Sequence, residues 1–102
     1  MKSVYKYPLT DAMSPTDVLS VNIASFTVMM PHDAIILHFA MQRDTPTIWA
    51  LVDSENAKEP RSFKVVGTGK EIKFNTDEYV YLGTAMTFSH DAVVHLFEKV
   101  TE

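Results

Sequence analysis

The sequence predicts a mainly β fold: a single small antiparallel β-sandwich or partly open barrel of about six to seven strands, occupying residues 1–102. Three observations lead there. The length of 102 residues, with 46% hydrophobic and 22% charged residues, supports one domain around one core. Gly67, Gly69, Gly83 and five prolines (Pro8, Pro15, Pro31, Pro46 and Pro60) cut the chain into short segments. Within those segments, β-branched and aromatic residues alternate with a period of two.

Val4–Tyr7 is the first expected strand, stopped by Pro8, and Thr10–Asp17 reads as loop because it holds Asp11, Ser14, Pro15 and Asp17. Val18–Met30 reads as a strand whose phase changes near Ala24-Ser25. Leu19, Val21 and Ile23 share one face, whereas Phe26, Val28 and Met30 have the opposite parity, which implies a bulge or a break. Pro31-His32-Asp33 then turns the chain. Ala34–Gln42 follows as a strand with Ile35, Leu37, Phe39 and Met41 on one face.

Asp44-Thr45-Pro46 reads as a hairpin loop into Thr47–Asp53. That strand is apolar on both faces, so a central position is expected. Ser54–Pro60 reads as a polar loop and Arg61–Val66 as a strand ended by Gly67-Thr68-Gly69. Glu71–Glu78 is polar and mostly loop. Tyr79–Leu82 and Met86–Phe88 are expected strands with a turn at Gly83. Ala92–Val100 fits a strand or a short helix. Periodicity slightly favours the helix; the Val-Val and Phe content and the β context favour the strand.

The formal charge of −4 disfavours duplex nucleic acid as a partner, since an acidic surface repels phosphates. The absence of cysteine removes disulfides, thiolate metal sites and a cysteine nucleophile. No signal-peptide pattern follows Met1, and the longest apolar stretches, Ala34–Leu37 and Ile48–Val52, fall far below the ~20 residues of a membrane span. A cytoplasmic protein with no membrane partner is the expectation.

Chemistry-bearing residues are few. His32, His38, His90 and His95 lack the i, i+2 or i, i+4 spacing of a compact ligand motif, so no metal and no cofactor is expected. His38 and His95 lie in expected strands, where a histidine hydrogen-bonded beside the core is the plainer reading and a pocket lining the sharper one. No Gly-x-Ser-x-Gly elbow or other catalytic spacing occurs, so no catalytic residue is assigned.

Gly67-Thr68-Gly69-Lys70 is the most suggestive segment. Glycines flanking Thr68 let a backbone approach an anion closely, Lys70 adds charge, and Arg61 and Lys64 lie just upstream. The segment lacks the P-loop spacing, and its plainer reading is a strand-ending turn. Trp49, the only tryptophan, reads as a core residue, or else as a stacking surface for a base or another subunit.

Tyr5-Lys6-Tyr7, Met30-Pro31, Ile36-Leu37-His38, Trp49-Ala50-Leu51-Val52-Asp53, Arg61-Ser62-Phe63, Val66-Gly67-Thr68-Gly69, Tyr81-Leu82-Gly83-Thr84 and His95-Leu96-Phe97-Glu98 form a pattern. It resembles a group of small bacteriophage-encoded proteins of unknown function, most specifically from Ala34 onward. Asp11–Ser25 departs from the group by being longer. The resemblance implies a phage origin and expression in the cytoplasm of a bacterial host, and it carries no catalytic residue.

By analogy with phage sponges that sequester nucleotide signals of bacterial defence, the leading expectation is a homo-oligomeric binder of a small nucleotide-like ligand. Its candidate residues are Arg61, Lys64, Gly67, Thr68, Gly69, Lys70, Trp49, His38 and His95. A protein–protein interaction module that blocks or adapts a host or phage factor is the alternative, and an enzyme is third.

Overall fold

The computed structural model describes residues 1–9, 23–87, 89 and 92–100. Among them are seven strands: β1 (Lys2–Pro8), β2 (Ile23–Pro31), β3 (Ile35–Gln42), β4 (Thr45–Asp53), β5 (Lys58–Gly67), β6 (Tyr79–Met86) and β7 (Val93–Lys99). A single 3₁₀ turn, Thr76–Glu78, precedes β6. The strands form two antiparallel sheets, one ordered β1-β4-β3 and the other β2-β5-β7-β6. The expected mainly β fold is therefore the observed one. The expected loop at Thr10–Asp17 and the first half of Val18–Met30 lie outside the described residues.

The core fills the space between the sheets. Ile48, Ala50 and Val52 of β4 meet Phe26 and Met30 of β2, Phe63 and Val65 of β5, and Val94 and Leu96 of β7; all are buried. Alternation explains these choices, since inward residues recur at every second position of each strand. Phe26, Val28 and Met30 point inward, as the second phase of their segment requires. β4 is central in its sheet, as its two apolar faces imply.

The final segment is the strand β7, inserted between β5 and β6. Its inward residues Val94 and Leu96 pair with Gly67 and Val65 of β5. Helical periodicity in this segment loses to that two-sided pairing, which satisfies the backbone and buries alternate side chains together.

Several local expectations are corrected. Gly83 is no turn: β6 runs unbroken from Tyr79 to Met86, with a register shift between Tyr81 and Gly83 that leaves Leu82 as the extra residue. β6 ends at Met86, and Phe88 lies outside the described residues. β5 begins at Lys58, so the polar stretch 58–60 is strand. It pairs with Met29–Pro31 of β2, and that ladder overrides its loop-like composition.

The β3–β4 hairpin turns at Arg43-Asp44, with φ of 51° and 59°. Such a primed two-residue turn matches the twist of its flanking strands. Thr45 and Pro46, expected in the loop, already belong to β4. Pro46 has no N–H to leave unpaired, and its carbonyl accepts from the Leu9 N–H at 2.8 Å.

β3 does not present Ile35, Leu37, Phe39 and Met41 on one face. The register shifts between Ile36 and His38. Leu37 is thus an extra residue opposite the β4 ladder, and the alternation reverses across it. Ile36, Phe39 and Met41 pack toward the core, while Ile35 and Leu37 are exposed.

One polar pair closes an end of the core. Arg61 of β5 donates through Nε and Nη2 to both carboxylate oxygens of Glu98 on β7, the Nη2 bond measuring 2.9 Å. Its Nη1 donates to the Ala34 carbonyl at 2.6 Å. The Glu98 carboxylate raises the Arg61 pKa above its ordinary value, opposed by burial of the guanidinium. Both side chains are largely buried, at 16% and 15% exposure.

Candidate ligand-binding site

The outer face of the four-stranded sheet carries the site. Chain order creates it. β7 occupies the place beside β5, so the segment 68–78 must pass β7 to bring β6 to the edge of the sheet. That crossing lays Phe74 against Phe97 of β7, with ring centroids 5.7 Å apart, and against Tyr79, at 4.6 Å.

The crossing begins with a tight turn. Lys70 N–H donates to the Gly67 carbonyl at 3.2 Å, and Gly69 takes φ 83°. A left-handed third residue in such a turn calls for glycine. The space around a Cβ at Gly69 is open, so the cost of Gly69→Ala is conformational alone. We expect Gly69→Ala to lower stability by about 1–2 kcal/mol and Gly69→Asn by less, read from urea unfolding. Equal stability of the parent and the alanine variant would contradict this. At Gly67, by contrast, a Cβ would meet the Lys70 stem at 3.3 Å.

The turn walls a recess of about 300 Å³ lined by Val66, Gly67, Thr68, Gly69, Lys70, Ile72, Tyr81, His95 and Phe97. Phe97 stands edge-on to Tyr81 at 5.3 Å, and half of the Tyr81 surface is exposed. Among the described residues the Lys70 ammonium has no hydrogen-bond or ion-pair partner.

A chain of hydrogen bonds holds the polar wall. The Thr68 N–H and hydroxyl both donate to the Val93 carbonyl, at 3.0 and 3.3 Å. With its proton so placed, the Thr68 oxygen accepts from His95 Nε2 at 2.7 Å. The other ring nitrogen, Nδ1, is hydrogen-bonded to the Thr84 hydroxyl at 2.8 Å. The Tyr81 and Thr84 hydroxyls hydrogen-bond to each other in turn. Both His95 nitrogens are thereby engaged, and the chain fixes the Tyr81 and His95 rings across neighbouring strands.

Of the expected site residues, Gly67, Thr68, Gly69, Lys70 and His95 come together in this recess. Lys64 stands beside it on β5: its ammonium donates to Ser25 Oγ at 2.8 Å and sits 5.6 and 5.9 Å from the Phe74 and Tyr79 ring centroids. Arg61 faces the core and is committed to Glu98 and Ala34. Trp49 and His38 belong to the other sheet, on its outer face, with centroids 5.8 Å apart. Trp49 is half-buried there rather than part of the core. His90 lies outside the described residues.

Sequence reasoning did not assign Ile72, Tyr81, Thr84 and Phe97 to the site. The available signal was the spacing of Tyr79 with Tyr81 and of His95 with Phe97. Residues two apart share a face once both segments are strands, and the pattern of Ala92–Val100 fits a helix as well as a strand.

The family described as Domain of unknown function (DUF7352) matches residues 1–102. The chain belongs to the DUF7352 family. Neither a curated protein nor a solved structure matches it. In this DUF7352 chain, no group of three or more potential metal-ligating side chains converges among the described residues, and no helix there is long and apolar enough to cross a membrane.

Proposed function

We propose that the protein binds a small nucleotide-like ligand in the recess beside the Gly67–Lys70 turn and holds it without converting it. The observation that carries this reading is the pairing of an aromatic, mostly apolar wall, Tyr81 and Phe97, with the unpaired Lys70 ammonium. A base or another flat heterocycle stacks on such rings, and a phosphate meets the lysine. Both His95 nitrogens are hydrogen-bonded to threonine hydroxyls, which fixes the ring as a rigid wall of the recess. The recess is open along one side, and small β domains commonly complete such sites between subunits, which is the ground for expecting a homo-oligomer. The resemblance to phage proteins supports the wider role: a phage-encoded sponge that sequesters a nucleotide-derived immune signal in the host cytoplasm.

The test is calorimetry and thermal melting of the purified protein against a panel of cyclic and ADP-ribose-derived nucleotides. At least one should raise Tm, bind saturably and be recovered intact after heating. Lys70→Ala and Tyr81→Ala should each weaken it about tenfold, the loss of one charge-assisted contact or one stacked ring. No binding anywhere in the panel overturns the reading.

A second reading, a protein–protein interaction module, is favoured by one observation. The outer face of the β1-β4-β3 sheet exposes Val4, Ile35 and Leu37, each more than half accessible, beside the partly exposed Leu51 and Trp49. Apolar clusters of this kind mark protein contacts.

A further inference from the structure

We propose that the ligands of this face extend to single-stranded oligonucleotides, with one base in the recess and the next on the Phe74–Tyr79 pair beneath Lys64. The inference rests on the reading of the recess as a base-binding site and extends it beyond one nucleotide.

Three features support the extension. The aromatic surface does not stop at the recess, since Phe97 contacts Phe74, which contacts Tyr79. Tyr79 and Tyr81 share a face two residues apart on β6, about 6–7 Å along the strand, a step that consecutive unstacked nucleotides bridge. A cation stands at each end: Lys70 at the recess, and Lys64 over the Phe74 and Tyr79 rings.

Charge agrees. The chain has 13 acidic and 9 basic residues. Yet the outward positions of β2, β5, β6 and β7 carry Lys58, Lys64, Lys99 and His95 and no carboxylate, because Glu59 and Glu98 have the inward parity. Among the described residues, the crossing segment adds the acids Glu71, Asp77 and Glu78 beside Lys70 and Lys73. A face built from aromatic rings and lysines on an open sheet reads splayed bases by stacking and the backbone by charge. A duplex hides its base faces and cannot use the recess.

Fluorescence anisotropy decides the matter with a labelled ten-nucleotide deoxythymidylate, its duplex with deoxyadenylate, and thymidine 5′-monophosphate as competitor. The ten-mer should bind at least tenfold more tightly than the mononucleotide and the duplex. Lys64→Gln should weaken the ten-mer about tenfold, lower its salt slope by roughly 0.7 and leave the mononucleotide unchanged. Phe74→Leu keeps an apolar side chain over Phe97 and should weaken only the ten-mer.

Equal affinity for mononucleotide and ten-mer overturns the inference and leaves the single-nucleotide reading standing. A face that binds the duplex equally well, or that retains a defined protein instead of the ten-mer, overturns it too. Failure of both the ten-mer and the mononucleotide removes the inference, while the single-nucleotide reading falls only when the cyclic and ADP-ribose-derived panel fails as well.

Discussion

Arg61→Met should cost the protein about 3 kcal/mol of unfolding free energy and lower Tm by roughly 15 °C. The guanidinium gives two hydrogen bonds to Glu98 and one to Ala34 in a largely buried setting. Removing it strands the Glu98 carboxylate where water reaches it poorly, and an uncompensated buried charge is among the most destabilising changes available. The attraction lost matters less than the solvation that Glu98 cannot regain. The double variant Arg61→Met/Glu98→Leu should therefore recover most of the loss. About 1 kcal/mol should remain missing, because the Ala34 carbonyl keeps no donor. Urea unfolding of the two single variants and the double gives the coupling directly. If Arg61→Met stays within 1 kcal/mol of the parent, the pair is peripheral and this account of it is wrong. The same series separates stability from recognition: Arg61 variants should act through folding, and Lys70 variants through ligand affinity.

Deleting single residues from β3 should give opposite results a few positions apart. Leu37 is the extra residue between Ile36, which faces Ala50, and His38, which faces Trp49. Its deletion restores an unbroken ladder and keeps every other β3 side chain on its present face, so the variant should fold, about 1–2 kcal/mol less stable for the lost local twist. Ala40 sits opposite Thr47 in regular ladder. With the Arg43-Asp44 turn holding the strand end, deleting Ala40 moves Phe39 into the outward position opposite Thr47 and draws the polar His38 into its place in the core. Loss of a buried phenylalanine alone costs about 3–5 kcal/mol, much of a small domain's total stability. That variant should show no cooperative unfolding transition by circular dichroism. Two variants of equal stability would mean that the shift at Leu37 does not set the register.

The two strands with register shifts mark where alternation could be read and where it could not. Phe26, Val28 and Met30, and Ile48, Ala50 and Val52, keep a strict period of two and all face inward. Ile35 and Leu37 keep the same period with Phe39 and Met41 but lie on the other side of a bulge. A bulge reverses parity without changing composition, so two apolar faces of one strand look alike in one dimension. Gly83 misleads for a related reason: glycine marks both turns and irregular strand positions, and only its partner strand distinguishes them.

The site divides in the same way. The Gly67-Thr68-Gly69-Lys70 turn is local, needing only residues three apart and one positive φ, and the amino-acid order suffices to place it. Arg61 and Lys64 are three residues apart and, along the chain, both stand as cations upstream of the turn. Their opposite parity on β5 sends one to Glu98 in the interior and the other to the outer aromatic rings. Trp49 and His38 fall on a different sheet from His95, a separation set by which strands pair and invisible along the chain.

The amino-acid order makes the chain mainly β, puts β4 at the centre of its sheet and places the glycine turn. These follow from local periodicity and backbone freedom. Long-range pairing makes the last segment a strand between β5 and β6, and the segment before β6 must therefore cross it. The crossing places Phe74 on Phe97, and the strand places His95 between Thr68 and Thr84. Those contacts join residues far apart in the chain, and long-range pairing brings them together where local pattern cannot.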